Sequence, residues 1–401
     1  MWKKQWIRQA VTRLESRALP LCVRFWDGSE FRPQGTAQVT LTLHSPAALW
    51  SLASPTLGRL ARAYVERKID LDGDFRDVLA LGERLCDATT ALDRRGTSVF
   101  SWLRHTLPKD RLNISHHYDV SNDFFALWLD ARRVYSCAYF RRHDDSLERA
   151  QEQKLDLICR KLMLKPGERF LDIGCGWGGL LLWAAERYGV NATGITLSRD
   201  QLAYVAAEIR RRGLADRVEV RLQDYREVPG QEEFDKIASV GMFEHVGRSR
   251  LPAYFAKLAA LLKPGGLVMN HGITAPDLDF DGLRSDCDRF VERYVFPGGE
   301  LCHVSVPLAA LGRCGLEILD VESLRPHYAH TLWHWSDRLE ANAEAARRIV
   351  GEQKFRVWRI YMAGAAHAFG RGWLSIHQVL AGKPMDDGSI VYPYTRDHLL
   401  A

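Results

Sequence analysis

From about residue 150 onward, the sequence alternates between strand-like and helical patterns, and this alternation restricts the possible folds more than any other feature. The apolar runs RFLDIG, NATGITL and LVMNHGI alternate with amphipathic runs such as LLLWAAERYG and RDQLAYVAAEIRRRG. Such alternation predicts an α/β fold with a parallel, doubly wound sheet and helices on both faces. Ligands of such sheets bind beyond the carboxyl ends of the strands, so we expect the functional site there.

The 401 residues are enough for two domains, each with its own core. Residues 1–86 combine a hairpin-like pattern (CVRFWDGSEF, then AQVTLTLHS) with two helical runs, which predicts a small α+β domain. Residues 87–116 are polar and basic, and are predicted to be a linker. Residues 117–401 form the larger predicted domain. Within it, residues 275–315 interrupt the alternation and predict an inserted helical lid.

Charge and cysteine content limit the classes of partner. The net charge of +5 does not by itself indicate a nucleic-acid-binding protein, but it is compatible with an anionic membrane surface. The eight cysteines show no C-x-x-C pair and no zinc-ligand spacing, so we expect neither a disulfide framework nor a metal site, and a cytoplasmic setting. No apolar run has the length of a transmembrane helix.

The first residues, MWKKQWIRQAVTRLESR, predict a basic amphipathic helix with tryptophans rather than a signal peptide, because charges interrupt every apolar run. Two interpretations remain open. The helix packs on its own domain, or it contacts lipid headgroups at a membrane surface.

A glycine-rich turn, DIGCGWGG at residues 172–179, follows the first strand of the larger domain. Gly174, Gly176 and Gly179 satisfy the G-x-G-x-x-G pattern of dinucleotide-binding turns, where a helix N-terminus receives a negatively charged group. A nicotinamide site would place an acid after the next strand to bind the ribose, but Leu197 and Ser198 stand there. Asp172 would also repel a pyrophosphate. These observations favour S-adenosylmethionine, with a purely structural turn as the alternative.

Eight motifs, taken in order, resemble the cyclopropane-fatty-acyl-phospholipid synthase family, which includes the mycolic acid cyclopropane synthases. The resemblance covers roughly residues 113–400 and rests on HHYDVSNDFFALWLD, YSCAYF, LDIGCGWGG, GITLSRDQ, GMFEHVG, NHGIT, FPGGELCHVS and HYAHTLWHW. It implies a class I S-adenosylmethionine-dependent methyltransferase fold, Rossmann-like, with a mostly parallel seven-stranded sheet and a helical insertion. The N-terminal part resembles, less strongly, the extra domain of the phospholipid-acting members.

The resemblance also implies a reaction and its site residues. A methyl group passes from S-adenosylmethionine to a cis double bond of a phospholipid acyl chain, a bound bicarbonate takes a proton, and the ring closes. The residues implicated with the cofactor are Tyr135, Ser136, Asp172, Gly174, Cys175, Gly176, Thr196, Leu197, Gln201, Asp224 and Tyr225. The residues implicated with bicarbonate are Cys137 and Ile273 through their backbone N–H groups, and Glu244, His271 and Tyr328 through their side chains.

Each catalytic candidate also has a structural interpretation: Cys137 as a small buried residue, His271 as a core histidine, Glu244 as an acid at a helix N-terminus and Tyr328 as a packing aromatic. The stretch YMAGAAHAFGRG carries Ala365 where some family members have a cysteine once proposed as catalytic. No nucleophilic thiol can act at that point.

Ten aromatic residues of the larger domain fit either an acyl-chain tunnel or an ordinary core. They are Tyr118, Phe124, Phe125, Trp128, Tyr135, Tyr139, Phe140, Phe243, Trp333 and Trp335.

The expected partners are unsaturated phospholipid acyl chains and the inner face of a membrane, where the protein would bind peripherally. No nucleic acid is expected, and a homodimer is an expectation from the family. Two other functions remain open. One is a related C-methylation that yields methyl-branched acyl lipids, and the other is a non-catalytic lipid-binding role.

Overall fold

The computed structural model describes residues 19–32, 36–53, 55–86, 121–278, 286–296 and 299–400. The predicted N-terminal amphipathic helix, the predicted linker at residues 87–116 and Tyr118 lie outside the described residues. The chain divides into two units. Unit 1 contains the described parts of residues 1–97, 281–297 and 339–367, and unit 2 contains those of residues 98–280, 298–338 and 368–401.

Unit 1 contains a four-stranded sheet in the order β2-β1-β3-β4. β1 and β2 form the antiparallel hairpin that the sequence predicts, and β1 also pairs with β3 in parallel. IDLD forms the edge strand β4, which pairs antiparallel with β3. The elements are β1 (Leu21–Arg24), β2 (Glu30–Phe31), β3 (Val39–Leu43), α1 (Trp50–Ala53), α2 (Leu57–Val65), β4 (Ile69–Asp72) and α3 (Phe75–Leu85).

Two distant stretches of the chain complete unit 1. The first contains α9 (Asp286–Tyr294), whose Asp286 accepts a 2.8 Å hydrogen bond from the Thr56 hydroxyl at the start of α2. The second, residues 339–367, carries Arg356, which forms a 2.6 Å ion pair with Asp70 of β4. The N-terminal domain is therefore completed by residues that the sequence assigns to the catalytic domain.

Unit 2 is built on a seven-stranded sheet in the order β10-β11-β9-β8-β5-β6-β7. The five strands from β5 to β9 are mutually parallel, and β11 runs antiparallel to both β9 and β10. This confirms the predicted mostly parallel α/β sheet. The strands are β5 (Arg169–Ile173), β6 (Asn191–Thr196), β7 (Val218–Leu222), β8 (Phe234–Val240), β9 (Leu262–Thr274), β10 (Glu317–Ser323) and β11 (Ser375–Gly382).

Helices cover both faces of this sheet, and each face has its own apolar core. The remaining helices of the chain are α4 (Asn122–Ala126), α5 (Leu147–Lys161), α6 (Gly179–Tyr188), α7 (Arg199–Arg211), α8 (Leu251–Leu261), α10 (Ser305–Arg313), α11 (Arg325–Ala341), α12 (Ala343–Arg371) and α13 (Asp397–Leu400). Most of α12 belongs to unit 1, and the helix is interrupted at Gly351, whose φ is +78°. Buried residues of α5 and α6 pack on one face of the sheet with Met269 and Leu380, while those of α8 and α10 pack on the other face with Val268 and Val379.

The stretch predicted as one helical lid, residues 275–315, does not form a single insertion. The described residues 286–296, which include α9, belong to unit 1. α10 belongs to unit 2, where Ala310 and Leu311 are buried in the core beside α8. The alternation of strands and helices is therefore interrupted for two reasons: α9 completes unit 1, and α10 packs in the core of unit 2. In the described part of the chain, no helix is both long enough and apolar enough to cross a membrane.

Candidate active site

The glycine-rich turn connects β5 to α6 at the carboxyl edge of the unit 2 sheet. The backbone N–H groups of Gly174 and Cys175 both donate to the Ile195 carbonyl at 3.0 Å, which ties the turn to β6. Gly176 has a φ of +55°, a left-handed conformation that favours glycine. At Gly179 a Cβ atom would lie 2.7 Å from a Val134 methyl group, so only glycine allows the helix to begin there.

All eleven residues predicted for the cofactor line one cleft at this edge. The cleft also contains Lys154, Gly241, Met242 and His245, which the sequence analysis did not assign. The structure thus brings the first, second and third βα connections of the sheet into one site. The contact of each residue with a ligand stays a prediction.

Thr196, at the end of β6, shapes the middle of the cleft. Its hydroxyl donates to the Gln201 side-chain oxygen at 2.7 Å, and both side chains are buried. With its oxygen engaged, Gln201 has its amide nitrogen left as a hydrogen-bond donor for a ligand. A donor at this point suits ribose hydroxyl groups, in place of the acid that nicotinamide sites use.

Asp224, after β7, is buried and already carries an ion pair. Its two carboxylate oxygens accept hydrogen bonds from the Arg226 guanidinium at 2.8 Å, and one of them also accepts from the Arg226 backbone N–H at 2.9 Å. This pairing fixes the carboxylate in the cleft wall. An ionised carboxylate has further lone pairs, so it can still accept a hydrogen bond from an adenine amino group.

Two buried ionisable side chains, Asp172 and Lys154, share the inner wall of the cleft. Burial raises the pKa of Asp172 to about 7, and the nearby Lys154 partly opposes this shift. Burial likewise lowers the pKa of Lys154 to about 8. Asp172 and Asp224 thus offer acceptors for amino and hydroxyl groups, and Lys154 offers a donor for a carboxylate. S-adenosylmethionine carries all of these groups, so the cleft fits this cofactor.

The segment Val134–Phe140 has no regular secondary structure and is held by side chains of two helices. From α5, Gln151 donates to the Ser136 carbonyl at 2.9 Å, and the Lys154 ammonium donates to the Ser136 hydroxyl at 2.8 Å. From α11, the Thr331 hydroxyl accepts the Ala138 N–H at 3.0 Å. We call this segment the clamped segment, because these contacts determine its path.

The roles of Gln151 and Lys154 were not predicted from the sequence. They lie three residues apart on the buried face of α5, where a lysine is rare unless it has a partner. That mismatch between residue type and helix face was the available signal.

Glu244 and Ile273 contact each other directly. Glu244 Oε1 accepts the Ile273 N–H at 2.6 Å, so this donor, expected to hold bicarbonate, is occupied by a carboxyl group. Gly272, the residue before Ile273, lies against the Phe243 ring, and a Cβ atom at Gly272 would come within 2.1 Å of that ring. Burial raises the pKa of Glu244 to about 7. Its other oxygen, Oε2, is buried and has no hydrogen-bond partner among the described residues.

His271, two residues before Ile273 on β9, is fully enclosed. Its Nδ1 lies 3.2 Å from the amide nitrogen of Gln378 on β11. Its Nε2 is buried without a hydrogen-bond partner in the part of the chain that the structure describes. Burial, supported by Lys154 and Lys161, lowers the pKa of His271 well below its ordinary value, so the imidazole is neutral.

Cys137 and Tyr328 meet at the start of α11. The Cys137 thiol lies 3.8 Å from the Leu324 carbonyl, which accepts the Tyr328 N–H at 3.0 Å. The Tyr328 ring is buried against Trp335 and Phe369. Burial raises the pKa of the Cys137 thiol far above its ordinary range, which excludes a thiolate nucleophile.

Several of the ten aromatics pack against one another. Phe124, Phe125, Trp128 and Trp335 are fully buried, and the ring of Trp128 lies 5.3–6.1 Å from the other three. Phe140 stacks on His334. These contacts fit an ordinary core, and an acyl-chain tunnel beside them stays a prediction.

The sheet order, the glycine-rich turn after β5 and the cleft at the carboxyl edge together define a class I S-adenosylmethionine-dependent methyltransferase. Solved structures agree. The chain is similar to the cyclopropane synthase MmaA2 from Mycobacterium tuberculosis (34% identity, TM-score 0.65, 68% of this chain and 98% of that chain). It is equally similar to mycolic acid cyclopropane synthase CmaA1, solved with SAH and CTAB (36% identity, TM-score 0.64, the same coverage).

Residues 105–379 match the family model described as mycolic acid cyclopropane synthetase, and the chain belongs to this family. Over 98% of its length it is 44% identical to a Pseudomonas putida protein named "Probable fatty acid methyltransferase", covering 99% of that protein. Residues 9–88 match a domain of unknown function. The protein is thus an S-adenosylmethionine-dependent lipid methyltransferase of the cyclopropane synthase type.

Lys154→Met should weaken S-adenosylmethionine binding by about tenfold or more. The variant loses the hydrogen bond that holds Ser136 in the wall of the cleft, and a hydrogen bond from a charged group contributes about 1.5–3 kcal/mol. Titration calorimetry measures the affinity. The matched control is Lys165→Met, which changes an exposed lysine just after α5. Equal affinities in the two variants would contradict the role assigned to Lys154.

Glu244→Gln should flatten the pH dependence of stability. The raised pKa means that the folded protein holds a proton between pH 4.5 and about 7 that the unfolded chain has lost. The contribution of Glu244 to stability is therefore full below pH 4.5 and falls by about 1.4 kcal/mol per pH unit as the pH rises to about 7. Urea unfolding at several pH values measures the slope, with the exposed Glu344→Gln as control. An unchanged slope in Glu244→Gln would refute the assignment.

Proposed function

We propose that this protein is a cyclopropane-fatty-acyl-phospholipid synthase, which transfers a methyl group to the cis double bond of an unsaturated phospholipid acyl chain and closes a three-membered ring. The observation that carries the proposal is the pair of buried polar atoms without partners, His271 Nε2 and Glu244 Oε2. A buried polar atom without a hydrogen bond costs free energy, so a ligand that binds both atoms explains their retention.

The chemistry of the proposed reaction requires such a site. S-adenosylmethionine supplies the methyl group as a sulfonium. An alkene that accepts a methyl group becomes a carbocation, which must lose a proton before water attacks it. Because Glu244, His271 and Cys137 are buried, the chain excludes water from this region.

The two atoms fit bicarbonate, which has oxygen acceptors and one O–H donor. His271 Nε2–H and the O–H of protonated Glu244 would each donate to a bicarbonate oxygen, which avoids two adjacent anions in a buried site. Held there, bicarbonate would supply a base for the proton. The Ile273 N–H joins this set only if Glu244 releases it, and the backbone N–H of Cys137 and the Tyr328 hydroxyl remain proposed ligands. Neutral His271 avoids a fixed positive charge beside the carbocation.

Several observations support a phospholipid substrate at a membrane. Cyclopropane mycolic acid synthase 1 of M. tuberculosis matches 68% of this chain, whereas the P. putida relative named "Probable fatty acid methyltransferase" matches 98% of it. The net charge of +5 favours anionic headgroups. Peripheral binding to the inner membrane face and a homodimer are parts of this proposal.

A second candidate is C-methylation without ring closure. The chain is 37% identical, over 69% of its length, to a protein of M. tuberculosis named tuberculostearic acid methyltransferase UfaA1. The same site would serve both reactions. Cyclopropane and methylated-alkene products add the same mass, so mass alone does not distinguish them.

Incubation of the purified protein with S-adenosylmethionine and vesicles of cis-unsaturated phospholipid should remove the alkene proton signals and produce cyclopropane signals in the NMR spectrum of the lipid. Neutral and anionic vesicles separate the headgroup effect, and Glu344→Gln serves as the active control. A methyl-branched product would favour the second candidate. Tight cofactor binding with no turnover on any lipid would indicate a non-catalytic lipid-binding protein.

Removal of bicarbonate from the buffer should slow turnover, and its return should restore the rate. Glu244→Gln and His271→Ala should each lose about 10²-fold or more of the activity while still binding S-adenosylmethionine, because they act on proton transfer rather than on the cofactor. Rates measured in carbon-dioxide-free buffer provide the test. A rate indifferent to bicarbonate would exclude this base.

A further inference from the structure

Gln378 places a polar side chain within hydrogen-bond distance of the His271 imidazole. The two residues face each other across the antiparallel pair β9 and β11, and both are buried, with exposures of 1% for His271 and 0% for Gln378. The Gln378 amide nitrogen lies 3.2 Å from His271 Nδ1. Neither residue type is common in a buried sheet interior without a specific partner.

The direction of this hydrogen bond determines which imidazole nitrogen carries the proton. The structure places the Gln378 amide nitrogen on Nδ1, while Gln378 Oε1 is buried with no hydrogen-bond partner among the described residues. An amide nitrogen can only donate, so in this orientation Nδ1 accepts and carries no hydrogen. Because the imidazole is neutral, its single proton lies on Nε2. The atom that the protein leaves without a partner is consequently an N–H donor.

Charged and titratable groups approach this imidazole from several elements. Lys154 and Lys161 come from α5, and His377 comes from β11, and all three lower the pKa of His271. On β10, Glu322 lies opposite Gln378 and pairs with Lys161 at 2.5 Å. The Glu244 carboxyl group also lies against β9, where it accepts the Ile273 N–H. An uncharged amide at position 378 therefore separates His271 from the Glu322–Lys161 ion pair.

We propose that Gln378 is the positioning residue that holds His271 in its Nε2–H form, so that the catalytic cluster presents a hydrogen-bond donor to an oxyanion. The proposal deepens the proposed function, on which the identity of the oxyanion as bicarbonate rests. The geometry of the Gln378 contact itself does not depend on which lipid is the substrate.

Long-range proton–nitrogen NMR of the protein with ¹⁵N-labelled histidine distinguishes the two tautomers and the imidazolium directly. Comparison with His271→Gln identifies the signals of residue 271 among the 14 histidines. The expected pattern at neutral pH is a protonated Nε2 and an unprotonated Nδ1. A protonated Nδ1 in the unmodified protein would overturn the proposal.

Two variants test the role of Gln378. Gln378→Glu replaces the donor with an acceptor and should place a proton on Nδ1. Gln378→Met retains the length of the side chain without adding a charge, and should give a mixture of tautomers. The control is Gln353→Glu, which makes the same change at an exposed position. A pure Nε2–H signal in Gln378→Met would show that another contact sets the tautomer, and would also overturn the proposal.

Turnover separates this proposal from the proposed function. Gln378→Met should lower kcat by about tenfold or more and leave S-adenosylmethionine affinity near that of the unmodified protein. Retention of full kcat together with an altered tautomer would refute the positioning role. If the NMR pattern is as expected but no lipid is methylated, the tautomer assignment stands and the proposed function fails.

Discussion

The site depends on the hydrogen bonds that hold the clamped segment Val134–Phe140 between α5 and α11. This segment has no strand or helix of its own. It carries Tyr135 and Ser136 of the cofactor cleft and also Cys137, a proposed ligand of bicarbonate. Gln151 and Lys154 on one side, and Thr331 on the other, satisfy its polar groups. Because buried backbone groups need such partners, the two helices fix the position of Cys137 relative to the cofactor cleft.

The end of β9 concentrates the unusual electrostatics of the protein. His271 is buried and neutral, Glu244 is buried with a raised pKa, and each has one polar atom without a partner in the described chain. Replacement of a whole set of buried polar groups by well-packed apolar side chains is often neutral or stabilising, so stability alone does not require these two residues. The ligand role proposed for His271 and Glu244 supplies a reason for their presence.

The sequence was most informative where function and local geometry coincide. The spacing of the glycines predicted the turn after β5, and the family resemblance implicated Thr196 and Gln201, all of which line one cleft. Gln378 and Lys154 could not be found this way. Gln378 meets His271 only because β11 inserts antiparallel between β9 and β10, which joins residues 107 positions apart. The periodicity of the sequence also could not predict how the expected lid divides, because tertiary packing assigns the described residues 286–296 to unit 1.

Lys154 has a chemical consequence beyond its role in holding Ser136. With a pKa of about 8, its amine is partly uncharged near neutral pH, unlike the ammonium groups of surface lysines. The uncharged amine still donates hydrogen bonds, so the contact with Ser136 persists on both sides of this pKa. The positive charge that Lys154 places in the cleft beside Asp172 therefore falls as the pH rises through about 8, while the path of the clamped segment stays the same.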